Sequence, residues 1–362
     1  MLTKWNTFSL LIMTLPIMGH VVILPLMINV AGRDSVISIL LSLPAAFLFG
    51  YSIYQLRKSY PNLQPKQLLE TLLGSLGSKV LRYIFVLYFL FLTILSFATL
   101  VDFVYIGFFP ETPVPALIIC FLIIFIYATL KGYKRIALTA GALTFIALIT
   151  GHTVTLMDSP KKDWSETLPF FEYGWSPSLW GCFILISIWV ELLLLLCIPI
   201  EIKEKRMFLF WTIGILLNAL MMFSTTNGAI TIFGLGQASN FTYPAQEIVK
   251  IINLGFIDRF DIYGMILMLF GVYIRCSLFF RIAYDFSLSE NASKWKQRIS
   301  FFLLMLITAV GTNYIAKDHM RVEDMIHIYT FMIVLYPIPF LLLFISWWKR
   351  RRNLERYNGE YI

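Results

Sequence analysis

The sequence predicts an all-α membrane protein, a single polytopic domain with ten transmembrane helices. Hydrophobic residues make up 59% of its 362 residues and the mean hydropathy is +0.77, whereas soluble domains are roughly 45–50% apolar. A helical bilayer crossing needs about 20 predominantly apolar residues. Ten such runs follow one another with short connections, at residues 8–30, 35–54, 80–103, 113–130, 136–156, 178–200, 207–233, 260–280, 299–315 and 325–348.

The basic residues are divided unevenly between the two sets of connections. With the N-terminus placed in the cytoplasm, 21 lysines and arginines fall on the cytoplasmic side and 7 on the opposite side, with Arg275 left inside a span. Because positive residues are retained on the cytoplasmic side, both termini, including the tail 349–362, are expected there. The net charge of +8 therefore reflects membrane topology and does not indicate a nucleic-acid partner.

The reactive residues form no pattern typical of an enzyme or a metal site. All four cysteines fall within predicted spans and the four histidines are scattered, which argues against a disulfide framework and against CxxC or HExxH zinc motifs. No nucleophile–base pair is visible in the short loops. We expect no catalytic residues, no metal and no cofactor.

The ten spans divide into two halves of five, at about residues 8–156 and 178–348. Because five is odd, the second half must be inverted relative to the first. In transporters with such inverted repeats, the first helix of each half is broken near the midplane and contributes to the substrate site. Pro16, Gly19 and Pro25 interrupt the first span around His20, so backbone groups there are expected to lack helical partners. A simple proline kink is the alternative.

The sixth span contains a carboxylate, Glu191, near the middle of an apolar stretch that has no central glycine or proline. At that depth a carboxylate must be neutral, paired or facing a polar cavity. Glu191 could accept a ligand ammonium, carry a proton or pair with a cation. Arg275 in the eighth span could be that cation, but the sequence favours snorkelling of Arg275 toward the cytoplasmic interface over a pair with Glu191.

Two features of the outer connections lead to structural predictions. After Tyr243-Pro244, residues 245–254 place Ile248 and Ile251 beside charged residues, which predicts a short amphipathic helix at the outer interface or in a vestibule. A plain surface loop is the alternative. Asp102, near the outer end of the third span, is expected to be an interfacial residue rather than part of a proton relay.

Several motifs resemble those of the endospore germination permeases, the B subunits of GerA-type germinant receptors. Tyr243-Pro244 and the motif GFIDRFD at residues 255–261 lie between the seventh and eighth spans, and Trp189, Glu191 and Pro199 share the sixth. The ten spans, the short N-terminus and the basic C-terminal tail also fit. The resemblance covers essentially the whole chain.

This resemblance implies a branch of the amino acid–polyamine–organocation superfamily and a leucine-transporter-like fold with a ligand pocket between the first, third, sixth and eighth helices. It implies partnership with a germinant receptor A subunit and a C-subunit lipoprotein in the inner membrane of a bacterial spore. A small germinant, often an L-amino acid, would bind this chain, which would signal its occupancy to the partners.

Under that fold, the residues expected to bind the ligand lie on four helices. A ligand carboxylate would lie at the broken first span, where backbone N–H groups and the helix dipole favour an anion. The candidates are Met18, Gly19 and His20 on the first span, Thr99 on the third, Ser187 and Glu191 on the sixth and Tyr273 on the eighth, with Arg275 as a possible charge partner of Glu191.

Two other classes of function fit the same sequence. One is an amino-acid or polyamine transporter without a signalling role, which uptake of labelled substrate into liposomes would favour. The other is an ion or water pathway within the receptor, which ligand-independent conductance would favour.

Overall fold

The computed structural model describes residues 1–252, 260–289 and 292–359, and the side chains of these residues up to position 351. The described residues form thirteen α-helices joined by short π or 3₁₀ segments and loops. The helices are α1 Lys4–Pro16, α2 Leu24–Ala31, α3 Ser35–Ser59, α4 Pro65–Gly107, α5 Val114–Asp158, α6 Ser176–Trp189, α7 Leu194–Cys197, α8 Met207–Ala238, α9 Pro244–Lys250, α10 Asp261–Ser287, α11 Lys294–Ala316, α12 His319–Thr330 and α13 Ile338–Gly359.

Within the described residues, nine helical segments are long and apolar enough to cross a bilayer, which indicates a multi-pass integral membrane protein. The sequence predicted ten crossings. The difference lies in α5, which contains both the predicted fourth and fifth spans in one element of 45 residues. Gly132 lies between those two runs and has a non-helical backbone with φ 78° and ψ 173°, a conformation that glycine adopts readily because it lacks a Cβ.

The first predicted span is interrupted where its prolines and glycine indicated. Helix α1 ends at Pro16, a π-helical segment follows from Ile17 to Val22, and α2 begins at Leu24. The N–H of Ile23 donates to the carbonyl of Met18 at 2.9 Å, so the chain stays wound through the interruption. A π segment widens the helix by one residue and is frequent at functional sites.

The sixth predicted span also changes its winding, although its sequence has no central glycine or proline. Helix α6 ends at Trp189, residues Val190–Leu193 form a 3₁₀ turn, and α7 continues to Cys197. Glu191 lies within this 3₁₀ turn and is fully buried. The tightened turn therefore carries the carboxylate that the sequence singled out.

Helix α10 lies at the centre of the bundle, against α1, α4 and α5. Small residues allow the close approach: a Cβ added at Gly271 would lie 2.4 Å from the Cδ1 of Ile17. A similar approach brings Gly181 of α6 against Ser38 of α3. Glycines at such crossings let membrane helices pack closely, and here they bring the first span against α10 and α6 against α3.

The loop before α10 contains the predicted amphipathic helix, now defined as α9. Its residues Gln246, Ile248 and Val249 are buried, whereas Lys250 is exposed. The helix thus packs against the bundle instead of lying free on the surface. Residues 253–254 of the predicted helix, and residues 255–259 of the GFIDRFD motif, lie outside the described residues.

Candidate functional site

A buried ion pair joins Glu191, in the 3₁₀ turn after α6, to Arg275 on α10. The Nη1 atom of Arg275 donates to Oε2 of Glu191 at 2.5 Å, and Nη2 donates to Oε1 at 2.6 Å. Neither side chain is exposed to solvent. Two parallel N–H···O bonds make the pair both directional and strong.

The sequence favoured snorkelling of Arg275, and the structure shows that this prediction is wrong. The side chain stays inside because its polar atoms find partners there: Nε donates to Oγ of Ser96 at 2.6 Å, and Nη1 also donates to the carbonyl of Thr14 at 2.7 Å. The guanidinium carbon lies 4.7 Å from the ring centre of Phe279. Arg275 therefore links α10 to α1 and α4 as well as to Glu191.

On the other side of the pair, Tyr329 of α12 completes the contacts of Glu191. Its hydroxyl lies 2.7 Å from Oε1 of Glu191 and 3.2 Å from the carbonyl oxygen of Ser187, and both oxygens can accept its proton. Tyr329 is fully buried. The carboxylate is thus held by three donors from two helices, Nη1 and Nη2 of Arg275 and the hydroxyl of Tyr329.

The hydroxyl of Tyr88 on α4 is buried beside this network. It has no hydrogen-bond partner within the described part of the chain, although Tyr88 interacts electrostatically with Glu191 and Arg275. A buried hydroxyl without a partner costs about 1–3 kcal/mol. A ligand oxygen that bonded to this hydroxyl would recover that free energy.

The predicted ligand residues do not all lie at the ion pair. Ser187 lies one turn before Glu191, and its hydroxyl donates to the carbonyl of Ile184. The hydroxyl of Thr99 is buried and donates to the carbonyl of Leu95 on its own helix. Tyr273 is partly buried at a small apolar crevice between α4, α5 and α10.

The three candidates of the first span lie in the π segment. Met18 is fully buried, and a Cβ added at Gly19 would lie 2.5 Å from Cε of Met222. His20 lines a separate cavity of about 380 Å³ on the side of α5 and α8. The backbone group of this span that contacts the ion pair is the carbonyl of Thr14, one turn earlier than the predicted residues.

Asp102, which the sequence predicted to be interfacial, belongs to a second polar cluster and is buried within the protein. It is 2% exposed. Its Oδ2 atom accepts a hydrogen bond from the hydroxyl of Tyr243 at 2.5 Å and lies 2.8 Å from Nδ1 of His319. The Nε2 atom of His319 lies 3.4 Å from the carboxylate of Glu323. The cluster joins α4 to α12 and to the start of α9.

Sequence reasoning missed Thr14, Ser96, Tyr88 and Tyr329 at the ion pair. Thr14 takes part through its carbonyl, which no side chain reveals, and the other three are ordinary hydroxyl residues of membrane helices. Within the described residues, no group of three histidine, cysteine, aspartate or glutamate side chains is placed to hold a metal ion. Chemically, the ion pair offers one cation, one anion and the hydroxyls of Tyr88 and Tyr329.

Comparisons with known proteins agree with this architecture. The sequence model of a family described as "Spore germination protein" matches residues 1–321. The chain is 28% identical to spore germination protein XB of Bacillus anthracis over 80% of its length and 82% of that protein. It is 22% identical to spore germination protein KB of Bacillus subtilis (strain 168) over 92% of its length and 91% of that protein. The chain therefore belongs to the spore germination protein family, the endospore germination permeases that its motifs resemble.

Proposed function

We propose that the chain is the germinant-binding, permease-like subunit of a spore germination receptor and that its germinant is a zwitterionic amino acid. The observation that carries this proposal is the fully buried bidentate pair of Glu191 and Arg275. An amino acid has a carboxylate that can replace Glu191 on the guanidinium and an ammonium that can replace Arg275 on the carboxylate. The ion pair therefore has one negative and one positive charge, as a zwitterionic amino acid does. Such a ligand could replace each partner of the pair with a group of the same charge.

The surroundings of the pair support this exchange. Removing one partner of a buried pair leaves an unpaired charge and costs about 3–5 kcal/mol, so the pair opens at low cost only when a ligand supplies both replacement charges. The unpartnered hydroxyl of Tyr88 can then donate to the ligand carboxylate. A ligand with a single charge leaves either Glu191 or Arg275 unpaired.

Signalling would follow from the contacts that the pair makes with separate helices. Arg275 bonds to the carbonyl of Thr14 beside the π segment, and Glu191 is bonded to Tyr329 on α12. A ligand that separates the pair changes the contacts of both helices, so it favours a different arrangement of the bundle. The proposed partners that respond are a receptor A subunit and a C-subunit lipoprotein in the spore inner membrane, with both termini of this chain on the core side.

The proposal includes ten crossings in two inverted halves of five, at about residues 8–156 and 178–348, within one membrane domain and a leucine-transporter-like fold. A straight helix with the length of α5 would extend about 68 Å, more than twice the roughly 30 Å of a bilayer's hydrocarbon core. The non-helical backbone of Gly132 supports a division of α5 into two crossings. Interruptions in both the first and sixth spans also fit an inverted repeat.

The test is a binding screen on the purified chain in lipid nanodiscs, with the L-amino acids and common sugars as ligands. Each ligand found is then compared with its N-acetyl derivative and its methyl ester, which remove the ammonium and the carboxylate charge respectively. We expect both derivatives, and the variant Glu191→Gln, to lose at least tenfold in affinity. Glu204→Gln, in a partly exposed pair with Lys4, is the control.

Unchanged affinity for either derivative and for Glu191→Gln would refute the role of the ion pair. Uptake of the bound ligand into proteoliposomes tests transport separately. Binding without flux supports a sensor, whereas saturable flux that needs no partner subunit supports an amino-acid transporter.

A further inference from the structure

A cavity of about 380 Å³ lies beside the first span. Its walls come from α1 and the π segment, α4, α5, α8, α9 and α10, and neither residue of the ion pair is among the residues that line it. Ile17 and Gly271, which contact each other at the crossing of the first span with α10, both belong to its wall. The volume lies within the roughly 300–1,000 Å³ of typical small-molecule sites.

The cavity opens sideways between α5 and α8. Leu156 of α5 and Leu220 of α8 line it and are 72% and 50% exposed on the surface of the protein. In a bilayer, the surface of membrane-spanning helices faces the hydrocarbon chains of lipids. A molecule would therefore enter the cavity from the hydrocarbon core and not from water, which selects for an apolar body.

Two residues that line this mainly apolar cavity each have an unpartnered polar atom. Nδ1 of His20 and Nε2 of Gln246 are buried and, among the residues that the structure describes, have no hydrogen-bond partner. Both residues line the cavity, and α9, which carries Gln246, packs against the π segment that carries His20. A few polar groups in an otherwise apolar pocket fix the orientation of a ligand.

The hydrogen-bonding chemistry of these two atoms indicates which polar group a ligand of the cavity would carry. The amide nitrogen of Gln246 can only donate, whereas a neutral imidazole can accept at one of its nitrogens. A hydroxyl group both donates and accepts, so it matches the hydrogen-bonding capacity of each of the two atoms. Asp158, the carboxylate in the wall, is already paired with Lys162 at 2.6 Å, so it is not a free counter-ion for a cationic head group.

We propose that this cavity is a binding site for a single-chain aliphatic alcohol, or a lipid-derived molecule of the same chemistry, that enters from the bilayer. Its hydroxyl bonds to His20 and Gln246, and its hydrocarbon chain lies in the opening between α5 and α8. A ligand bound there occupies the space next to the Ile17–Gly271 contact and next to the residues of α9 that line the cavity. The site is separate from the proposed germinant site and does not depend on it.

The test uses 1-decanol with a diazirine near the end of its chain, photo-crosslinked to the full chain in phosphatidylcholine nanodiscs and mapped by mass spectrometry. We expect the label within residues 147–156 and 217–225. Unlabelled 1-decanol should displace the probe about tenfold better than decane at equal concentration in the bilayer, as expected for a hydrogen-bonded head group. Decanoate should compete less well than 1-decanol because an ionised carboxylate accepts hydrogen bonds but cannot donate one, and because burying its charge costs free energy.

Two sets of variants test separately the space for the ligand's hydrocarbon chain and the residues that bind its hydroxyl. A Cβ at Gly151, which lines the cavity, meets no atom within 4 Å, so the series Gly151→Ala, Gly151→Leu and Gly151→Phe fills the space progressively and should reduce labelling in that order. Ile149→Phe, at a position on α5 that is 52% exposed and outside the cavity, should label like the parent. His20→Phe with Gln246→Leu should remove the advantage of decanol over decane.

Each result has a counterpart that would overturn the proposal. Labelling spread evenly over the exposed faces of the helices and unchanged by Gly151→Leu would show only lipid-like contact with the surface. Equal competition by decane and decanol would refute the hydroxyl-binding role of His20 and Gln246. Thermal unfolding of each variant is measured in parallel, and the alanine and leucine variants decide the outcome if the phenylalanine variant does not fold.

Discussion

Glu191 and Arg275 are bonded through both oxygens of one and two nitrogens of the other, at 2.5 and 2.6 Å, with no exposure of either side chain. The two residues lie 84 positions apart, so their contact depends on the packing of separate helices. The pair therefore forms only when the 3₁₀ turn after α6 and helix α10 have the right rotation and height relative to each other.

The first prediction concerns the coupling of the two charges. Glu191→Gln leaves Arg275 charged and buried, and should reduce the free energy of unfolding by about 3–5 kcal/mol. The double variant Glu191→Gln with Arg275→Gln should recover part of that loss, because no unpaired charge remains. Thermal unfolding in detergent measures both. If the double variant is no more stable than Glu191→Gln alone, the two residues do not form a coupled pair.

The second prediction concerns the hydroxyl of Tyr329. Tyr329→Phe removes the contact with Glu191 and the contact with the carbonyl of Ser187, and should reduce stability by about 1–3 kcal/mol because a charged acceptor is left with one donor fewer. Tyr336→Phe is the control, since that hydroxyl bonds to the carbonyl of Ala45 away from the ion pair. Both variants should still fold, but only Tyr329→Phe should change the affinity for the amino acid.

The third prediction concerns the crossing of the first span with α10. Gly271→Ala places a Cβ 2.4 Å from Cδ1 of Ile17 and should destabilise the protein by about 1–3 kcal/mol through overpacking. Shortening the neighbour with Ile17→Val, which removes Cδ1, should relieve part of the loss. Gly264→Ala, whose added Cβ would lie 3.7 Å from the nearest atom of Val249, serves as the control. A double variant as unstable as Gly271→Ala would disprove the proposed close contact.

The fourth prediction concerns Tyr243 and alkaline pH. Burial, together with the adjacent Asp102 carboxylate, raises the pKa of Tyr243 well above its ordinary value. Tyrosine in an unfolded chain titrates near pH 10, so the folded state retains a proton that the unfolded state loses. The stability contributed by Tyr243 is therefore complete below about pH 10 and decreases as the pH rises beyond it.

The alkaline experiment compares the parent with Tyr243→Phe and with Tyr173→Phe, an exposed tyrosine of the loop between α5 and α6, between pH 8 and pH 11. The parent and Tyr173→Phe should lose stability above pH 10 more steeply than Tyr243→Phe. Parallel curves for all three proteins would contradict the buried state of the Tyr243 hydroxyl.

Several parts of the architecture could be predicted from the sequence because they depend on local composition. The apolar runs predicted the membrane helices, the Pro16–Gly19 pattern predicted the interruption of the first span, and the isolated carboxylate of Glu191 indicated a polar site. The sequence did not show that this interruption is a π segment, because predicting its winding requires knowledge of how the neighbouring helices pack.

The hydrogen bonds around Glu191 and Arg275 could be predicted only in part, for three physical reasons. The rotation of a helix about its axis is not visible in an apolar run, so the sequence favoured snorkelling of Arg275 toward the interface over a pair with Glu191. Thr14 contributes a carbonyl, and Tyr329 is one of many hydroxyls. The partners of Asp102 were hidden for the same reason, because Tyr243 and His319 are both distant from it in sequence.

The 3₁₀ turn at Val190–Leu193 has a mechanical consequence for the ion pair. A 3₁₀ turn rises about 2.0 Å and rotates about 120° per residue, whereas an α-helix rises about 1.5 Å and rotates about 100°. Rewinding these four residues as α-helix would shorten the span by about 2 Å and turn its two ends by about 80° relative to each other. Rewinding would thus move α6 relative to α7 by a combined translation and rotation about the helix axis. The carboxylate of Glu191, which lies within the turn, would move with it.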